Sequence, residues 1–127
     1  MTTGFLEHAN FSVSDPHRTA DMLRDLFGWH VRWEGAAIHG GHSVHVGTED
    51  GYLALYAREE MKPGAMSDYR TVGVMNHIGV VVDDLDAVEG KVEARGFVPV
   101  NHADYEPGRR FYFRDHDGIE FEVVSYN

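Results

Sequence analysis

The chain contains no cysteine, which excludes disulfides, thiolate nucleophiles and thiolate metal sites together. Any metal it holds must be bound through imidazole, carboxylate or water. Basic residues are also scarce: 11 Lys and Arg stand against 21 Asp and Glu, a formal net charge of -10. Such a surface repels a phosphate backbone and gathers cations, so nucleic acid is not an expected partner. No apolar run approaches the roughly 18 residues that cross a bilayer, and MTTGFLEHAN has no basic segment followed by an apolar one. A membrane partner is not expected, and a cytoplasmic location is. At 127 residues there is room for one compact core but not for two conventional independent domains.

Histidine, by contrast, is plentiful, and two of the nine lie in stretches that echo each other. LEHANFSVSD (6–15) aligned without a gap on MNHIGVVVDD (75–84) places His8 over His77, Val13 over Val82 and Asp15 over Asp84. A helical pattern follows each Asp, with Ala20, Leu23 and Phe27 on one stripe and Leu85, Val88, Val92 and Ala94 near the other. Asp15 and Asp84 stand at N-cap positions, and Pro16 suits the first helical residue. Gly28-Trp29 and Gly96-Phe97 supply the stops.

Strand-like segments complete each half: WHVRWEG, GGHSVHVGT and GYLALYAR, then FVPVNHA, RRFYFRD and GIEFEVVSY. Asp50-Gly51 and Asp117-Gly118 introduce the last strand of each. The expected fold is α+β, two tandem βαβββ modules within one domain of residues 1–127. Module 1 covers about 1–57, a linker about 58–73 and module 2 about 74–127. A four-stranded sheet with one helix leaves a face unburied, so the modules are expected to pair into an open curved cup with the helices outside.

Alternation along the first strand puts Leu6, His8, Asn10 and Ser12 on the face away from the helix. His77 occupies the equivalent place. In the closing strand Glu120, Glu122 and Val124 share a face, and an unpaired carboxylate is costly to bury there. His8, His77 and Glu122 together give a two-histidine, one-carboxylate set with positions left open for substrate, an arrangement suited to Fe(II) and usable by other divalent ions. His39, His42 and His45 resemble a metal tract, but the first lies in a turn and the rest alternate along a strand, so a second metal site is not expected from that spacing.

These residues resemble the vicinal oxygen chelate superfamily, which includes glyoxalase I, extradiol dioxygenases, and fosfomycin- and bleomycin-resistance proteins. The resemblance is carried by the two strand histidines, the helix ends LFGW and ARGF, and the closing FYFRDHDGIEFEV, where His116 stands in place of the usual Pro. It implies paired modules and a divalent metal (Fe2+, Mn2+, Ni2+ or Zn2+) on His8, His77 and Glu122. The fourth family position, a carboxylate closing the first module, aligns with Leu55, which argues against true lactoylglutathione lyase activity.

The expected function is therefore a metal-dependent enzyme on a small molecule that chelates the ion through vicinal oxygens, either extradiol-dioxygenase-like or a glyoxalase-like lyase or isomerase. The alternative is a metal-free drug-binding protein of the bleomycin-resistance kind, which the net charge of -10 would suit for a cationic ligand. Candidate catalytic residues are Tyr112 and His102, by similarity to the extradiol signature, and Glu120 as a proton-moving carboxylate, with a solvated charge the stronger default for Glu120. Asn10, Arg110 and Trp33 are candidate substrate contacts, and Tyr69 is a plausible apolar wall. The resemblance also implies a homodimer.

Overall fold

The computed structural model describes residues 2–64, 67–105 and 108–127. The chain divides into two compact units, Met1–Lys62 and Pro63–Asn127, and each carries one βαβββ module. The α+β class expected from the repeat is thus the class observed.

In the first unit, β1 (His8–Ser12), α1 (Pro16–Phe27), β2 (His30–Ala37), β3 (Gly41–Gly47) and β4 (Tyr52–Ala57) form a sheet of order β1-β4-β3-β2. β1 runs parallel to β4, and the other pairs are antiparallel. The second unit repeats this with β5 (Ile78–Val81), α2 (Leu85–Ala94), β6 (Val100–Tyr105), β7 (Gly108–Arg114) and β8 (Glu120–Ser125), in the order β5-β8-β7-β6.

Both helices start as the sequence requires. The Asp15 carboxylate accepts the N–H groups of His17 and Arg18, Pro16 fills the first turn, and Asp84 accepts from Ala87. They end differently. α1 closes on Gly28 at φ 70 with a single bond from its N–H to the Arg24 carbonyl. After α2, Gly96 at φ 87 and Phe97 donate back to Glu93 and Val92, the paired bonds of a Schellman motif.

Each helix buries one stripe against its own sheet. For α1 this is Thr19, Ala20, Met22, Leu23 and Leu26, while Phe27 is only half-buried and turns to Trp29. For α2 it is Leu85, Val88 and Val92; Ala94 is exposed, because it falls off the three-to-four-residue spacing that links the other three. Under α1 lie Val44, Val46 and Leu55, all fully buried. Under α2 lie Phe111, Phe113, Phe121 and Val123, with the Phe113 and Phe121 rings stacked at 5.2 Å.

Strand register fixes the opposite faces. Residues paired across a sheet share a side, so His8, Tyr52, Asn10, Ala54, His45 and Trp33 lie on the face of the first sheet away from α1. In the second, Gly79, Glu122 and Tyr112 lie away from α2, with Arg110, Arg114 and Glu120 in the same alternation. The register also corrects one sequence alignment. Glu122 stands beside Gly79, and the residue standing likewise beside Asn10 is Ala54; Leu55 points into the helix side. Either way, the first module has no carboxylate at that place.

Candidate functional site

Glu122 lies near the middle of β8, and its two carboxylate oxygens have different neighbours. Oε2 accepts from Arg110 at 2.7 Å and from the Tyr112 hydroxyl at 3.1 Å. Oε1 lies 3.2 Å from His77 Nε2. The strands explain this convergence: β8 is flanked by β5, whose Gly79 puts no side chain against Glu122, where a Cβ would meet Oε1 at 3.7 Å, and by β7, which places Tyr112 directly opposite. His77 immediately precedes β5, two residues from Gly79 and on the same side.

A second carboxylate completes the group. Glu120 is buried, so the solvated role given by default to it does not hold. It accepts a short hydrogen bond from the Tyr69 hydroxyl, its Oε1 lies 3.8 Å from Arg114, and its backbone N–H donates to Ser67 Oγ at 2.8 Å. The Tyr69 oxygen also stands 3.2 Å from His77 Nδ1. Although the Tyr69 residue is 59% exposed, its hydroxyl is turned inward, and burial followed by the Glu120 bond pushes its phenol up to about 12. It therefore stays protonated and donates to Glu120. Its oxygen can then accept from His77 Nδ1–H, the tautomer in which an unprotonated Nε2 faces Glu122 Oε1.

Two lone pairs at 3.2 Å repel each other unless a cation lies between them. A divalent ion satisfies this requirement, since ligand atoms held about 2.0–2.1 Å from a tetrahedral centre stand roughly 3.3 Å apart. The surroundings also fit an ion: Tyr69 orients the imidazole, while Tyr112 and Arg110 hold the outer oxygen of the carboxylate. A proton on His77 Nε2, donated to Glu122 by the neutral ring or by an imidazolium, is the other way to meet it.

The remaining candidates are distributed as follows. His8 lies in the first unit, donates to the Glu7 carboxylate at 2.8 Å and stacks on Tyr52 at 4.9 Å. Tyr52 stacks in turn on His45, and His45 meets Trp33 at a tilt of 54°, so Trp33 ends a row of four rings across that face. Burial, followed by repulsion from His8, lowers the His45 imidazole below its ordinary value. Asn10 shares the face with His8. Arg110, expected to meet substrate, is held by Glu122 and sits over the Tyr105 ring.

His102 is not brought to the group. It bonds Glu89 of α2 at 2.9 Å and stacks on Phe111, on the helix side of its sheet. Simple alternation from Val100, which faces Tyr112, would have put His102 on the Tyr112 side. A register shift between Val100 and Ala103, with Asn101 at φ 54, turns it over. Sequence reasoning missed the hydroxyl role of Tyr69 and the contribution of Ser67, because SDYR lies in a stretch without periodicity. The only local signal is Asp68, whose side chain accepts from Arg70 N and the Thr71 hydroxyl and so folds the turn carrying Tyr69.

Among the described residues no helix is long and apolar enough to cross a membrane. No curated protein matches the sequence. Solved structures do match in fold. A glyoxylase/bleomycin resistance protein/dioxygenase domain from Frankia sp. EAN1pec superposes with a TM-score of 0.80 at 16% identity, covering 98% of both chains. TnmS3, an antibiotic binding protein from Streptomyces sp. CB03234, gives 0.71 at 19% identity, again over 98% of each. The fosfomycin resistance protein FosX from Listeria monocytogenes, complexed with Mn(II) and sulfate, gives 0.70 at 18%, over 98% of this chain and 93% of that one. The family model of the Glyoxalase/Bleomycin resistance protein/Dioxygenase superfamily matches residues 5–123, and with nearly the whole chain so matched, the protein belongs to that superfamily.

Proposed function

We propose that the protein is a divalent-metal-dependent enzyme that moves a proton on a small oxygenated substrate, with His77 and Glu122 as metal ligands. The observation carrying this reading is the Nε2 of His77 set 3.2 Å from Glu122 Oε1, beside the buried Glu120. The bound ion would supply Lewis acidity to vicinal substrate oxygens. The chain supplies the rest. Glu120, buried next to the imidazole, is the proton acceptor, and Tyr69 is the donor that holds it and fixes the His77 tautomer. Tyr112 and Arg110 keep the Glu122 carboxylate from rotating.

This arrangement favours a lyase or isomerase over ring cleavage, because the histidine of the extradiol signature, His102, is bonded to Glu89 on the helix side. FosX from Listeria monocytogenes, similar in fold, is a Mn(II) complex. A homodimer belongs to the same reading and is checked by sedimentation equilibrium, which should give a particle of twice the chain mass.

The deciding experiment is elemental analysis of tag-free protein beside His77→Ala and Glu122→Gln. One equivalent more divalent metal in the parent than in either variant is the expected result. The second reading, a metal-free binding protein, is favoured by the Arg110–Glu122 pair, which would also neutralise that carboxylate if His77 were an imidazolium. A parent that holds and takes up no more metal than the two variants would establish the second reading in place of the first.

A further inference from the structure

We propose that His17, Glu34 and His42 form a separate surface site for a divalent ion of the Zn2+ class, on the helix side of the first sheet. The nitrogen and oxygen ligand atoms of the three lie within 4.8 Å of one another. Each comes from a different element. Glu34 on β2 stands opposite Val44, and His42 on β3 stands opposite Ala36, so the two are diagonal neighbours on the side facing α1. His17 occupies the first turn of α1, where the Asp15 cap fixes its backbone.

Both imidazoles converge on one atom. His17 Nε2 lies 2.6 Å and His42 Nε2 3.1 Å from Glu34 Oε2. These separations fall somewhat short of the roughly 3.3 Å between ligands on a tetrahedral centre with bonds of about 2.0–2.1 Å. Small rotations open them, since the side chains are 64%, 46% and 44% exposed. Without an ion, both rings must present an N–H to the same oxygen; an ion replaces both protons and takes water at its free position. Bonds from His42 and then His17 hold the Glu34 carboxyl below its ordinary value, which keeps it ionised as a ligand must be.

Two imidazoles and one carboxylate suit Zn2+ and its neighbours rather than Mg2+ or Ca2+. The spacing of His39, His42 and His45 did not expose this site, because His45 faces the other side of the sheet and stacks on Tyr52. The partners of His42 come from elsewhere in the chain. An ion here would clip the start of α1 to the β2–β3 hairpin and stabilise the folded unit in proportion to its occupancy.

The test is calorimetric titration of ZnCl2 into tag-free protein carrying His77→Ala, with Glu122→Gln as a second background, so that the outcome does not depend on the proposed catalytic centre. One saturable equivalent is expected in either background. His17→Ala, Glu34→Gln and His42→Ala should each weaken it by about tenfold or more, whereas His30→Ala, which removes a partner of Glu49, should leave it unchanged. Zn2+ should also raise the thermal midpoint, and Glu34→Gln should abolish that rise. Absence of saturable binding, or binding that Glu34→Gln leaves intact, would overturn the proposal.

Discussion

At Asp115 one carboxylate oxygen does the bonding and the other has no partner among the described residues. Oδ1 accepts the N–H groups of Asp117 and Ile119 and so shapes the turn between β7 and β8, while Oδ2 is buried without a hydrogen bond. Burial pushes this carboxyl above its ordinary value. A raised folded value means that its contribution to stability is complete below the unfolded value and is lost as pH rises through the folded one. Asp115→Asn keeps an acceptor for both N–H groups and removes the buried charge. It should flatten the pH dependence above about pH 4 in urea titrations, with no loss of stability at neutral pH. Asp115→Ala loses both bonds and should cost about 1–3 kcal/mol. Tyr69 is tested differently. Tyr69→Phe frees the His77 ring and leaves Glu120 without its phenol donor, so metal affinity measured by chelator competition should fall about 10–100-fold.

The elements were the most legible part of the sequence, because each start and stop has a local chemical cause. Asp15, Asp84, Gly28 and Gly96 mark helix ends by side-chain bonds and left-handed backbone that few other residues supply. Asp15→Ala frees the N–H groups of both His17 and Arg18 and should lower stability by about 1 kcal/mol, read as a shift in denaturation midpoint. Alternation likewise gave the faces of His8, His77 and Glu122 correctly. It failed at β6, where the bulge at Asn101 reverses the side on which His102 emerges. It had nothing to say about Tyr69, whose position depends on hydrogen bonds from an aperiodic segment to β8. The site was thus readable where it rests on regular strands and unreadable where a bulge or a loop completes it.

Taken whole, the molecule carries ten more acidic than basic side chains, and its folded state concentrates them. Raising ionic strength from about 0.01 M to about 0.15 M shortens screening from roughly 30 Å to roughly 8 Å, so the thermal midpoint should rise. A fall would mean that exposed pairs such as Arg109–Asp86 outweigh the general repulsion. The two modules share a register but not its occupants: the place filled by Glu122 in one is filled by Ala54 in the other, almost wholly buried. Alanine and glutamate codons differ by as little as one base. The first module is therefore as little as one base change away from presenting a carboxylate beside Asn10, and what bars that step is the cost of an enclosed negative charge, which only a nearby cation would lift.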